Sequence, residues 1–302
     1  MRHQKGLGIP GTTLSFAVAI ASAISTGFIS AAVRAEGTGG VEGKTQLPKL
    51  VPWIELNTIR EDAFENAVGG LLIWQKITDT AIVSTVPGYA HLYTKLRARV
   101  PGMHIIPGMK TSRCLPALDS VAGWKEVARA VNEVCEAAGE KRVVLENEGA
   151  IQPFWREGRE IDEARLREGL RELPEAIEII WYPSIVGETQ EARRRSVRLT
   201  ELVAEVEGVR FTDLSISGPK SLRYGWSKLG RKQLKEIAER QVIPMLYCYG
   251  PGSRWWEDED IPEALKLVEG DFVILYPGST RWREAARSIT KIISEHNGSD
   301  SP

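Results

Sequence analysis

The sequence predicts an α/β protein: a single (β/α)8 barrel, the TIM-barrel fold, after an N-terminal signal peptide. Short apolar runs rich in β-branched residues alternate with longer amphipathic stretches, the pattern of parallel βαβ units. Eight such repeats occur, and eight strand–helix units in about 250 residues are typical of a closed barrel. No glycine-rich phosphate motif follows any predicted strand, which disfavours an open nucleotide-binding sheet.

Residues 1–35 have the features of a secretory signal peptide. Arg2 and Lys5 precede an apolar run over residues 14–32, and small residues suited to cleavage follow near Ala35. An uncleaved anchor helix and a misassigned start are the alternatives, because the run nearly reaches membrane-spanning length. We expect cleavage, and therefore a secreted or periplasmic protein without a stable membrane anchor.

The remaining chain divides into a glycine-rich linker over residues 36–47, a barrel over residues 48–296 and a disordered tail over residues 297–302. Lysine plus arginine (39) nearly balance aspartate plus glutamate (40), so nucleic acid is not an expected partner. The cysteines have neither zinc-binding spacing nor a disulfide pattern: Cys114, Cys135 and Cys248.

Eight strands and five clear helices are predicted along the barrel. The strands begin at Val51, Leu71, Met103, Arg142, Ile177, Val209, Val242 and Phe272. The helices cover residues 123–139, 162–173, 191–207, 228–240 and 282–296.

A barrel of this kind binds its ligand where the strands end, so the polar residues at those ends are the candidates for the site. They are Glu55, Gln75, Lys110, Glu146, Asn147, Glu148, Tyr182, Ser184, Asp213, Ser215, Tyr247, Tyr249, Tyr276 and Ser279.

The fourth predicted strand carries two carboxylates. Alternation along a strand turns Val143 and Leu145 toward the helices, and therefore Glu146 and Glu148 toward the lumen. Glu148 lies nearer the mouth and is the predicted general acid, since burial beside a like charge raises a carboxyl pKa. Glu146 is predicted either as a second catalytic group or as the ion-pair partner of Lys110.

The sixth strand supplies the other predicted catalytic group. If Leu214 and Ile216 face the helices, Asp213 and Ser215 point inward. Asp213 then acts as base or stabiliser opposite Glu148, or else it caps the next loop.

Aromatic rings near the strand ends suit sugar faces, or they cover the barrel mouth. The predicted substrate contacts are Asn147, Trp74, Lys110, Tyr182, Tyr247, Tyr249, Trp255, Tyr276 and Trp282. For Asn147 the alternative is that it caps the turn after the strand. No metal site and no cofactor are expected, because the four histidines form no HxH or HExxH pair.

Asn147-Glu148 at the end of strand four resembles the acid/base signature of the retaining glycoside-hydrolase clan built on (β/α)8 barrels. The resemblance implies a carbohydrate-active hydrolase with Glu148 as acid. That clan places a glutamate nucleophile at the end of strand seven, where residues 245–250 contain none. The likeness is therefore limited to the barrel layout and two residues.

The leading hypothesis is an exported glycosidase-like hydrolase that binds a carbohydrate or another polar small molecule. One alternative is a non-catalytic glycan-binding barrel. Another is a lyase or aldolase that uses Lys110, because a desolvated lysine in a barrel can form a Schiff base.

Overall fold

A computed structural model describes thirteen segments, all within the compact unit Gln46–Pro302. They are residues 48–56, 60–111, 120–155, 158–183, 185, 189–214, 217–218, 232–237, 242–248, 256–257, 260–268, 272–277 and 282–298. The predicted signal peptide and linker lie outside these segments, so export stays a prediction. Within the described segments, no helix is long and apolar enough to cross a membrane.

Eight parallel strands close into a barrel in sequence order, which confirms the predicted fold class. The strands are β1 (Lys49–Glu55), β2 (Thr80–Thr85), β3 (His104–Lys110), β4 (Arg142–Glu146), β5 (Glu178–Tyr182), β6 (Val209–Asp213), β7 (Val242–Tyr247) and β8 (Phe272–Tyr276).

Helices follow the strands around the outside of the barrel. The described helices are α1 (Glu61–Trp74), α2 (His91–Arg99), α3 (Val121–Ala138), α4 (Glu148–Trp155), α5 (Glu163–Leu170), α6 (Gln190–Ala204), α7 (232–237), α8 (Ile261–Lys266) and α9 (Trp282–Gly298). Two of them, α4 and α5, lie between β4 and β5.

Helix α3 shows how local sequence sets these elements. The Ser120 side chain accepts a hydrogen bond from the Gly123 backbone N–H at 3.3 Å, which caps the first turn. Gly139 ends the helix in the left-handed conformation with φ of 65°. The buried face repeats every three or four residues through Trp124, Val127, Val131 and Val134.

The strands separate two apolar layers. Outward-facing residues such as Leu145 and Trp181 pack under the helices. Inward-facing residues fill the lumen: Val51, Trp53, Ile82, Ile106, Val144, Ile180, Ile243, Met245 and Ile274. This alternation confirms the orientation predicted for the fourth strand up to Glu146.

The predicted second strand is wrong. The segment from Leu71 to Trp74 is the last turn of α1, and the true second strand is Thr80–Thr85. Leu71 and Trp74 are fully buried in the layer between helices and barrel, so their turn of helix is as apolar as a strand. A short apolar run of this kind has no period that separates strand from helix.

Candidate functional site

Six polar or phenolic side chains meet at the carboxyl end of the lumen. The register pairs Lys110 with Glu146 and Glu146 with Tyr182 along β3, β4 and β5. It also pairs Tyr247 with Tyr276 across β7 and β8. Glu55 continues the inward positions of β1 above Trp53. We call these residues the mouth layer: Glu55, Lys110, Glu146, Tyr182, Tyr247 and Tyr276.

Lys110 lies between two carboxylates of this layer. Its Nζ is 3.2 Å from Glu55 Oε2 and 3.2 Å from Glu146 Oε1. The exposed fractions of the three side chains are 20% for Lys110, 12% for Glu55 and 11% for Glu146. The predicted ion pair between Lys110 and Glu146 is therefore confirmed, and Glu55 is a second partner.

Burial and charge act in opposite directions on the pKa of the lysine. Burial alone would lower the pKa of Lys110, but Glu146 and Glu55 outweigh it and raise the pKa above its usual value. Lys110 is therefore an ammonium ion at neutral pH. Burial first, and then the charge of Glu55, raise the pKa of Glu146 to about 7 although Lys110 opposes them. Glu146 can thus gain or lose a proton near neutral pH.

The three tyrosines form hydrogen bonds within the mouth layer. Tyr276 donates its hydroxyl hydrogen to Glu55 Oε1 at 2.7 Å. The hydroxyl groups of Tyr182 and Tyr247 are 2.6 Å apart. Burial is the main reason why the pKa values of all three phenols lie above their usual range. The tyrosines are therefore neutral donors, and their rings pack on each other and on Trp53.

Small residues on β2 and β3 make room for this arrangement. Ser84 pairs with both Glu55 and Gly108 in the register, and its Oγ accepts a hydrogen bond from Trp53 Nε1 at 2.6 Å. A side-chain carbon at Gly108 would overlap the Ser84 hydroxyl. Ser84 and Gly108 are not among the residues predicted for the site, although a glycine within an apolar strand indicates close approach of a neighbour.

Asn147 stabilises the turn after β4. It is fully buried, its side-chain oxygen accepts a hydrogen bond from Thr111 Oγ1 at 2.6 Å, and its Nδ2 donates to the Leu145 carbonyl at 3.0 Å. Its backbone N–H donates to the Tyr182 carbonyl at 2.7 Å. The geometry thus agrees with the turn-capping alternative for Asn147 rather than with contact to a substrate.

The predicted inward orientation of Glu148 on the strand is wrong. The strand ends at Glu146, and Glu148 is the exposed first residue of α4. The two-residue alternation of a strand therefore does not apply to it. Its charge still reaches the site, because it adds to the effect of burial in raising the pKa values of Tyr182 and Tyr247.

The predicted orientation of Asp213 is also wrong. The register pairs Thr212 with Ile243, which faces the lumen, and Asp213 with Pro244. Leu214 packs against the lumen cluster instead of the helices. Asp213 is 2% exposed and lies on the helix side of the sheet. The proposed pair of Glu148 and Asp213 facing each other across the lumen is therefore not formed.

Two predicted ring contacts belong to the helix layer. Trp74 is fully buried at the end of α1, because the segment that contains it is not a strand. Trp282 begins α9, is 4% exposed and lies beside Gly70 of α1. Neither ring is available to stack on a ligand. Tyr249 and Trp255 lie outside the described residues, as do Ser184, Ser215 and Ser279.

Comparison with known protein families gives no match, and comparison with curated proteins gives none either. Solved barrel structures resemble the chain at low identity. Orotidine 5'-phosphate decarboxylase from Pyrococcus horikoshii is 17% identical, with a TM-score of 0.44 over 80% of this chain and 99% of that one.

Two further structures have comparable similarity. The 2-keto-3-deoxy-6-phospho-gluconate aldolase from Zymomonas mobilis is 13% identical, with a TM-score of 0.38 over 80% of this chain and 92% of that one. A mutant tryptophan synthase alpha-subunit from Pyrococcus furiosus is 13% identical, with a TM-score of 0.46 over 84% of this chain and 100% of that one. None of the three is a glycoside hydrolase by name.

The predicted glycosidase function is wrong. The carboxylate pair on which it depended is not formed, because Glu148 is not on the strand and Asp213 faces the helices. The mouth layer does contain Lys110, the lysine on which the lyase or aldolase alternative depends.

Proposed function

We propose that the protein is a lyase that breaks a carbon–carbon bond of a carbonyl compound through a Schiff base on Lys110. One observation supports this most strongly: a mostly buried lysine amine lies 3.2 Å from each of two carboxylate oxygens at the mouth of the barrel. Ligands of (β/α)8 barrels bind at this end of the strands. The lysine amine and a proton acceptor therefore lie together at the ligand-binding end of the lumen.

The resting lysine must first lose a proton, because only the neutral amine attacks a carbonyl carbon. Glu146 Oε1 is in contact with Nζ, and the pKa of about 7 makes this carboxylate a base that also releases the proton near neutral pH. Transfer of the proton from Lys110 to Glu146 is unfavourable by itself, because the pKa of Lys110 is the higher of the two, and it proceeds as the neutral amine is consumed by addition to the substrate carbonyl. This exchange moves one charge over 3.2 Å and leaves the total charge of the site unchanged.

The covalent steps then follow from the chemistry of amines and carbonyl compounds. The amine of Lys110 adds to the carbonyl carbon, and the carbonyl oxygen leaves as water after taking up two protons, which yields an iminium ion. The bond between the α- and β-carbons breaks, and its electron pair moves into the iminium to give an enamine. The proton of the β-hydroxyl group passes to a carboxylate, and the β-carbon departs as an aldehyde. Protonation of the enamine and hydrolysis restore the lysine.

The surroundings of the lysine suit this reaction. Below the mouth layer the lumen is filled with apolar side chains such as Ile106 and Val144, so a substrate reaches Lys110 from the mouth. The neutral phenols of Tyr182 and Tyr247 are hydrogen-bond donors close to Glu146. In this proposal they bind the hydroxyl and carbonyl oxygens of the substrate.

Cleavage of a panel of β-hydroxy carbonyl compounds tests the proposal. We expect the full chain to release an aldehyde from at least one compound, as followed by NMR spectroscopy. Lys110→Arg keeps the positive charge but has no amine that loses a proton, so cleavage should fall to the background rate. Lys266→Arg is the matched control, since Lys266 lies on the exposed surface of α8.

Two results would contradict the proposal. One is cleavage by Lys110→Arg at the wild-type rate. The other is the absence of cleavage by the folded wild-type chain for every compound of the panel.

A further inference from the structure

We propose that Tyr276 gives the two carboxylates of the mouth layer different roles. It holds Glu55 as the permanent counter-ion of Lys110, and it leaves Glu146 as the group that exchanges a proton with the lysine. Tyr276 is thus a positioning residue that acts through Glu55. This division of roles rests on the proposed function, in which Lys110 must lose its proton and regain it in each cycle.

Both carboxylate oxygens of Glu55 accept a hydrogen bond. Oε1 accepts from the Tyr276 hydroxyl at 2.7 Å, and Oε2 accepts from Lys110 Nζ at 3.2 Å. A carboxylate with a donor on each oxygen is stabilised in its ionised form, since protonation would displace one of the donors. Glu55 is therefore held beside the lysine by a donor on each carboxylate oxygen.

Glu146 is bound on one side only. Lys110 contacts Oε1, whereas Oε2 is buried and has no hydrogen-bond partner among the described residues. A buried anionic oxygen without a donor is unfavourable, so this carboxyl is the one that a proton stabilises. The raised pKa of Glu146 has the same causes: burial first, and then the charge of Glu55.

The other titratable groups around Glu146 preserve this difference. The groups that face it come from six elements: Glu55 on β1, Lys110 on β3, Glu148 on α4, Tyr182 on β5, Tyr247 on β7 and Tyr276 on β8. Glu148 adds negative charge near Glu146 and further favours its protonated form. The phenols stay neutral because their pKa values are raised.

The exchange of a proton between Lys110 and Glu146 leaves the total charge of the site unchanged. At rest, two carboxylates and one ammonium ion carry a total charge of minus one when Glu146 is ionised. After transfer, Glu55 is the anion, Lys110 is neutral and Glu146 is a carboxylic acid, so the total is again minus one. The fixed charge of Glu55 then stabilises the positively charged iminium at the same nitrogen.

Carbon-13 NMR titration of glutamate carboxyl groups in the full chain tests this inference without any substrate. Signals are assigned with Glu55→Gln and Glu146→Gln. In the wild type we expect the Glu146 signal to titrate with a midpoint near 7. In Tyr276→Phe, Glu55 loses the donor on Oε1, and the Glu146 midpoint should fall by about one pH unit.

Tyr247→Phe is the matched control. It removes a hydroxyl from the same layer that bonds to Tyr182, so the Glu146 midpoint should stay close to that of the wild type. The inference is overturned if the Glu146 signal does not titrate near neutral pH, or if Tyr276→Phe leaves its midpoint unchanged. The wild-type titration decides even if a variant does not fold, and its result is separate from that of the cleavage assay.

Discussion

Lys110 and Glu146 occupy paired positions on adjacent strands, and their side chains meet at 3.2 Å inside the mouth of the barrel. Side chains at paired positions of parallel strands point to the same face, so the contact is a consequence of the register itself. Because both strands are fixed in the closed barrel, the ion pair is held without a loop. Its partners are nevertheless unequal, since only Glu146 has a pKa near neutrality.

The raised pKa of Glu146 makes stability depend on pH. Its carboxyl holds a proton up to about pH 7 in the folded chain, against a usual value of 4.5. Below about pH 4.5 the carboxyl is protonated in both the folded and the unfolded chain, so it does not reduce the free energy of unfolding. This free energy falls as the pH rises from about 4.5 to about 7. The loss amounts to roughly 3 kcal/mol at most.

Denaturant unfolding between pH 4.5 and 8 checks this prediction. The free energy of unfolding of the wild type should decline relative to that of Glu146→Gln over the window between the two pKa values. A constant offset between the two proteins is expected, because the variant also removes a partner of Lys110. A difference that stays flat with pH would show that Glu146 does not titrate there.

Replacement of Gly108 by alanine should lower the free energy of unfolding, because it adds a side-chain carbon beside Ser84. The added carbon would overlap the Ser84 hydroxyl and lie 3.0 Å from the Ser84 Cα, so β2 and β3 must move apart. Overpacking of this kind costs about 1–3 kcal/mol of unfolding free energy. Thermal or denaturant unfolding measures it.

The double variant Gly108→Ala with Ser84→Ala provides the control. Without the Ser84 hydroxyl part of the overlap disappears, so the double variant should be more stable than the sum of the single effects. Strict additivity would mean that the two side chains do not compete for the same space.

Asp213→Asn tests whether the site is the mouth layer around Lys110 or the pair of Asp213 and Glu148 expected from the sequence. Asp213 is buried on the helix side of β6, so the variant should change the free energy of unfolding. The rate of reaction at Lys110 should stay within about twofold of wild type per folded molecule, since additive effects hold for sites without shared partners. Loss of that reaction in folded Asp213→Asn would place Asp213 in the site after all.

The fold was predictable because seven of the eight strands are apolar runs, and five clear helical patterns follow strands of this set. The second strand was missed for a physical reason. Its sequence from Thr80 to Thr85 has only three apolar residues, although it is rich in β-branched ones, and Leu71–Trp74 is more apolar. Residues at the lumen tolerate threonine and serine, so hydrophobicity alone ranks the two segments in the wrong order.

The site was only partly predictable from alternation along the strands. On β4 the apolar residues Val143 and Leu145 fix the orientation, and Glu146 was placed correctly. On β6 polar residues occupy both inward and outward positions, so alternation alone does not fix the orientation of the strand. Only the register with Ile243 shows that Asp213 faces outward. A pattern in one strand cannot show where the strand ends, which is why Glu148 was placed on β4.

The most direct test of the central claim is reduction with borohydride in the presence of small carbonyl compounds, followed by peptide mass spectrometry of the full chain. The account predicts a reduced adduct on Lys110 that is absent from Lys110→Arg and that forms in preference to adducts on exposed lysines such as Lys266. Adducts confined to exposed lysines, with Lys110 unmodified, would contradict a Schiff base at this site.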